Sequence, residues 1–171
     1  MARRYLPFSL FRHNRGNLIR YSAMRILLIS TIQILSGPWH PLHLAKFGAT
    51  LDHITGGRWG LNMVTGNLRT QALMFGREQI AHDERYDRAD EFLEVAYKLW
   101  EGSWDDDAVR ADRRARVYAD PAAVRRIDHE GKYYKVQGYH LSEPSRQRTP
   151  VLYQAGSSGR GQAFAARHAE C

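Results

Sequence analysis

Hydrophobic positions along this chain repeat in two ways, and the alternation between them sets the expected architecture. MRILLISTIQI (24–34) is an almost unbroken aliphatic and β-branched run, short enough to predict a buried strand rather than a helix. Gly37, Pro38 and Pro41 then break the chain. In LHLAKFGATLDHI (42–54), Leu44, Phe47, Leu51 and Ile54 recur at three- and four-residue spacing, which predicts one face of a helix. TGG (55–57) closes it, because glycine takes the left-handed cap without a Cβ penalty. RWGLNMVTG (58–66) predicts a second strand whose near-continuous apolar character suits a parallel sheet.

The strongest helical pattern is HDERYDRADEFLEVAYKLW (82–100). Tyr86, Ala89, Leu93, Ala96, Tyr97 and Trp100 share one face, and Phe92, Val95 and Leu99 widen it. Glu84, Asp87, Arg88, Glu91, Glu94 and Lys98 take the opposite face, with Gly102 as the expected end. Asp83 and Glu84 meet the positive end of the helix dipole. Residues 101–127 are polar and read as an insertion loop, with Asp105, Asp106 and Asp107 on a solvated edge. GKYYKVQGYHL (131–141) reads as an extended excursion with a hairpin around Gly138, PVLYQAG (150–156) as a third core strand, and GQAFAARHAE (161–170) as the third helix. Strand–helix–strand–helix–excursion–strand–helix predicts an α/β fold with a parallel sheet and helical crossovers.

Charge changes this picture only at one end. The formal net charge is +7, and the first thirty residues carry six arginines and no acid. The rest of the chain is close to neutral, so no basic face for nucleic acid is expected on the folded part. The segment 1–25 reads as a disordered or transit-like start, separate from a domain over 26–171. No window reaches the ~18 uninterrupted apolar residues of a membrane span, so no membrane partner is expected. Cys171, the single cysteine, allows no disulfide framework and fits a reducing, cytoplasmic compartment. His40 and His43 are three apart but lack a third ligand, and no metal is expected.

One short stretch invites chemistry. YQAGSSGRG (153–161) puts three glycines and two serines between the third strand and the third helix. At the carboxyl end of a parallel strand, such a turn lets backbone approach an anion and points the next helix's first N–H groups at it. It reads equally as a phosphate cradle or as an ordinary glycine-rich turn. It matches no P-loop, no G-x-G-x-x-G fingerprint, and no G-x-S-x-G elbow, since Arg160 stands where that elbow needs glycine.

TLDHITGGRWGLNMVTG (50–66), HDERYDRADEFLEVAYKLWEGSWDDDAV (82–109) and IDHEGKYYKVQGYHLSEPSRQRTPVLYQAGSSGRGQAFAARHAE (127–170) together resemble the luciferase-like flavin-dependent monooxygenases, in the branch of the nitrilotriacetate, dibenzothiophene sulfone and dimethyl sulfide enzymes. The resemblance implies a (β/α)8 TIM barrel, of which residues 26–170 supply about three βα units, the third to the fifth, with an insertion between the second and third of them. It implies the oxygenase component of a two-component system: reduced FMN arrives from a separate NAD(P)H-dependent flavin reductase, and O2 is used to oxygenate a small organosulfur or amine-type compound. It places Gly156, Ser157, Ser158 and Gly159 at the FMN phosphate, and Asn62, His82, Tyr86 and Thr31 beside the flavin. No catalytic acid or base is assigned. A whole barrel typically needs ~250 residues. This chain is therefore expected to behave as a fragment, oligomeric only if complete, with a truncated, inactive remnant that at most binds a phosphate-bearing ligand or self-associates as the alternative.

Overall fold

The computed structural model describes residues 28–33 and 39–171, with side chains from residue 39 onward. The basic segment 1–25 lies outside the described residues. Three parallel strands form the central sheet: β1 (Leu28–Gln33), β2 (Trp59–Val64) and β7 (Val151–Tyr153), in the order β1-β2-β7. Parallel neighbours need long crossovers, and helices supply them. Helix α1 (Pro41–Thr55) joins β1 to β2, and α3 (His82–Gly102) follows β2 after the short α2 (Arg69–Met74). Helix α4 (Gly159–His168) follows β7. The result is the expected α/β architecture, a three-strand arc of a (β/α)8 barrel.

Local chemistry explains the ends of α1. Pro41 sits at the first helical position, where its missing N–H costs nothing, and His40 Nδ1 accepts from the Leu42 N–H at 3.2 Å. His40 is thus a helix cap; its ring lies 6.0 Å from that of His43. At the other end Gly56 adopts φ 66°, and the Gly56 and Gly57 N–H groups close onto the His53 and Asp52 carbonyls at 3.2 and 2.9 Å.

The core lies on the helix-covered side of the sheet. Trp59, Leu61 and Met63 of β2 and Leu152 of β7 pack against Leu44 and Ala45 of α1, and Phe92, Leu93, Ala96 and Leu99 of α3. The alternate β2 positions Gly60 and Asn62 face the other side, where Tyr153 reaches over Gly60. Buried Asp52 on α1 anchors the loop before β7, accepting from Gln147 N–H at 2.8 Å and from its Nε2 at 2.5 Å.

Two expectations are corrected between α3 and β7. Residues 101–127 are not a loop throughout: β3 (Val109–Asp112) and β4 (Val117–Ala119) pair antiparallel, and a 3₁₀ turn at Pro121–Ala123 follows. Both strands are exposed on both faces, so no alternation marks them, and the turn is held by Asp112 accepting from the Arg114 and Ala115 N–H groups. The second hairpin, β5 (Ile127–Glu130) with β6 (Lys135–Gly138), turns at residues 131–134 and not at Gly138. Glu91 of α3 fixes it by accepting from Tyr133 N–H at 3.0 Å and Tyr134 N–H at 2.7 Å, while Gly131 leaves room for that carboxylate. Helix α3 ends at Gly102, as expected, with Ser103 as its C-cap.

Gly48 tests the packing. Helix propensity alone favours alanine over glycine by ~1 kcal/mol. A Cβ at Gly48, however, would overlap the ring of Trp59, which is 1% exposed and cannot move outward. Overpacking of this kind costs typically ~1–3 kcal/mol, so Gly48→Ala is expected to lower stability in urea denaturation despite its better propensity. An increase in stability would show that Trp59 has room to shift.

Candidate functional site

Strand register gathers the predicted residues at one end of the sheet. Thr31 on β1 pairs with Asn62 on β2, and Asn62 pairs with Tyr153 on β7, so the three form one cross-strand row. The side chain of Thr31 is outside the description; Asn62 is half-buried. Thr65 follows Asn62 at the carboxyl end of β2 and is buried. Gly156 follows Tyr153 by three residues, at the same carboxyl end, where ligands of parallel α/β folds bind.

The glycine–serine turn leads directly into α4. The helix begins at Gly159, two residues before the expected start, with Ser158 as its N-cap. The Ser158 hydroxyl accepts from the Gly161 N–H at 3.1 Å and the Ser158 carbonyl from the Gln162 N–H at 2.8 Å. The N–H groups of Gly159 and Arg160, in the first turn, have no helical acceptor to reach. They carry the positive end of the helix dipole. A Cβ at Gly159 would meet nothing within 4 Å, so space is open beside these donors, and Ser157 is exposed at the edge of that space. This arrangement fits a phosphate monoester.

His82 and Tyr86 are brought to the same turn. Their rings lie 5.3 Å apart near the start of α3, and exposed His82 bonds through Nδ1 to Asp83 at 2.6 Å. Tyr86 is buried against Phe164 of α4, with ring centroids 5.5 Å apart. Its hydroxyl lies so close to α4 that a Cβ at Gly161 would come within 2.7 Å of it. The third glycine of the motif therefore serves Tyr86 and the packing of α3 on α4. Hence Tyr86, His82 and the 156–159 turn share one neighbourhood, while Asn62 and Thr31 belong to the adjoining strand ends.

Several residues of this neighbourhood escaped the reading of the sequence. Arg160 lies over the Tyr86 ring at 5.5 Å and binds Asp87 at 3.0 Å, on the α3 face that the pattern assigned to solvent, and Asp90 at 2.6 Å. Asp90 also receives His168 Nε2 at 2.6 Å, and His168 Nδ1 meets the Tyr97 hydroxyl at 3.1 Å. Burial pushes the Asp90 carboxyl upward, but the hydrogen bonds from His168 and Arg160 outweigh it and hold the group below its ordinary value. Spacing offered one signal: Asp87 and Asp90 are three apart, on one helix edge. Among the described residues no group of three or more His, Cys, Asp or Glu side chains is placed to hold a metal ion, and no helix is long and apolar enough to cross a membrane.

Asp90→Asn keeps the shape of this junction and removes its charge. At neutral pH it is expected to cost about 1–3 kcal/mol, the scale of a lost charged hydrogen-bond partner. Because the folded-state value is depressed, the carboxylate's contribution is complete above the unfolded value of about 3.9 and is lost as pH falls through the lower folded one. The stability gap between wild type and variant should therefore narrow in urea titrations below about pH 4. A gap constant from pH 7 to pH 3 would mean that Asp90 carries no such charge-dependent role.

With this geometry in place, three similarities bear on the chain. It is 56% identical over 131 residues to dimethyl-sulfide monooxygenase of Hyphomicrobium sulfonivorans, covering 76% of this chain and 27% of that protein. It is 57% identical over 133 residues to long-chain alkane monooxygenase of Geobacillus thermodenitrificans, covering 77% of this chain and 30% of that one. A crystal structure of riboflavin lyase with modified FMN and riboflavin superposes with a TM-score of 0.78 at 49% identity, over 84% of this chain and 32% of that one. The chain thus spans under a third of the length of each of these proteins. The family description for luciferase-like monooxygenases matches residues 22–171. On that span, this chain belongs to the luciferase-like monooxygenase family.

Proposed function

We propose that this chain contributes the phosphate-binding part of the oxygenase component of a two-component, FMN-dependent monooxygenase. The observation that carries the reading is the start of α4: open first-turn N–H groups and glycines without side chains, at the carboxyl end of a parallel strand, beside buried Tyr86. Similarity to an FMNH2-dependent relative and to a structure holding modified FMN supports FMN as the ligand of that anion site. Gly159 and Arg160 donate their N–H groups to the FMN phosphate, and the Ser157 hydroxyl adds a donor from the exposed edge. Ser158 holds the turn through its cap bond. Tyr86 and His82 form an aromatic wall beside the turn, and Asn62 with Thr31 contributes from the strand ends.

When bound, reduced FMN supplies the electrons for activating O2. The protein's part is to hold the cofactor by its anionic tail, orient it against the strand ends, and keep bulk water from that face. A separate NAD(P)H-dependent flavin reductase provides the reduced cofactor in this reading, within a reducing, cytoplasmic compartment, and the complete barrel self-associates. The organic substrate is a small organosulfur compound, amine or alkane.

Gly159→Asp separates binding from folding. An acid in the first turn favours the helix dipole, and the position has room for a side chain, so stability is expected to hold or rise slightly. The same carboxylate repels a phosphate dianion, so the affinity of the purified chain for FMN should fall tenfold or more. Riboflavin, which lacks the phosphate, should bind wild type and variant alike. Equal FMN affinity in the two proteins would refute the site.

A further inference from the structure

A second concentration of positive charge lies on the other side of α3. A cleft of about 420 Å3 opens between the loop after β2 and the first turns of α3, lined by Thr65 and Gly66 at the strand end and Leu68 and Ala72 from the α2 region. Arg77, Arg85 and Arg88 also line it, against the single acid Glu78. Arginine stays charged in any environment a protein offers, so this lining is cationic. It shares no residue with the α4 turn.

Arg85 and Arg88 are three apart on one helix edge, and each keeps a buried Nε without an acceptor. Arg85 is only 9% exposed; its Nη1 donates to the Ile80 carbonyl at 3.2 Å, while its buried Nε has no partner. The Nε of Arg88 is likewise buried without a partner, with the guanidinium stacked 5.3 Å over the Tyr133 ring. Four acids of α3 are engaged elsewhere: Asp87 and Asp90 by Arg160, Glu91 by His129, and Glu94 by Lys98. A buried guanidinium with an unmet N–H is unfavourable unless something completes it. Beside these charges, Leu68 is 52% exposed and gives the cleft an apolar wall.

We propose that this cleft is an oxyanion subsite, distinct from the α4 turn, that takes the carboxylate or sulfonate group of a small organic ligand. Arginine forks match the two oxygens of such a group, and the apolar wall suits its carbon skeleton better than it suits an inorganic ion. In the monooxygenase reading, on which this last step alone rests, that ligand is the organic substrate, held at the same end of the sheet as the cofactor.

The test uses the purified 171-residue chain, with succinate, methanesulfonate, inorganic phosphate and FMN titrated separately by calorimetry or thermal shift. Wild type is expected to bind succinate or methanesulfonate more tightly than phosphate. Arg85→Gln and Arg88→Gln should each weaken the organic anions at least tenfold while leaving FMN affinity within twofold, and Gly159→Asp should do the reverse. Arg88→Gln, at a half-buried position, serves if Arg85→Gln does not fold. Wild type that ignores both organic anions, or variants that bind them unchanged, would overturn the subsite. Loss of FMN together with the organic anions in the arginine variants would also overturn it, by placing the cofactor's phosphate in the cleft. Loss of FMN binding by wild type with the organic anions retained would leave the subsite standing and remove only the cofactor reading.

Discussion

The Asp90 carboxylate is the contact on which the candidate site hangs. Helix α4 has ten residues, too few to hold its shape or direction by backbone bonding alone. Both of its ends are tied to Asp90 on α3: Arg160 reaches from the first turn and His168 from the last. Tyr97 steadies the same histidine, and Phe164 between them fills the space under Tyr86. The open N–H groups at Gly159 and Arg160 point where they do because α4 cannot roll or tilt without breaking this junction. The cost of burying a carboxylate is met by hydrogen bonds from His168, Arg160 and Arg167, which is also why its proton is held less tightly than usual.

Parallel register supplies the second constraint. Strands running the same way place all their carboxyl ends together, so loops far apart in sequence converge. Thr31, Asn62 and Tyr153 stand in one row, and the turn at 156–159 and the cleft at Thr65 and Gly66 leave the sheet at that end. Tyr153 crossing over Gly60 keeps the sheet's other face from carrying a side chain there. The β5–β6 hairpin docks on α3 through Glu91, and its turn meets this end through Tyr133, over which Arg88 is stacked.

Elements with an apolar face were legible in the sequence because burial imposes periodicity. The three core strands and α1 and α3 lie where their patterns put them, within a few residues at each end. The hairpin β3–β4 left no such trace, since its residues are exposed on both sides and its turn rests on Asp112. Charged residues were the harder case. Glu91 and Asp87 read as solvated by pattern, yet each meets a partner from 38 to 73 residues away in the chain. A periodicity argument sees only that a face is polar. Whether that face meets water or a hairpin depends on chain that has not yet been placed. The same limit hid Arg85, whose charge predicts exposure and whose position beneath the loop after β2 buries it.

The two cationic places on either side of α3 differ in physical kind. At the α4 turn the formal charge of Arg160 is already matched by Asp87 and Asp90, so what remains for a ligand is backbone N–H groups and a helix dipole. Partial charges of that sort act at close range and reward a ligand that fits between glycines. At the cleft the guanidinium charges of Arg85 and Arg88 are formal and partly desolvated, and each keeps a buried Nε without an acceptor. Formal charge attracts over a Debye length, roughly 8–10 Å at ordinary salt, and tolerates varied shapes. A helix that spent Asp87 and Asp90 on Arg85 and Arg88 instead would lose the clamp on α4 and neutralise the cleft together. The placement of acids along α3 therefore decides at once where α4 sits and which side of the helix remains open to an anion.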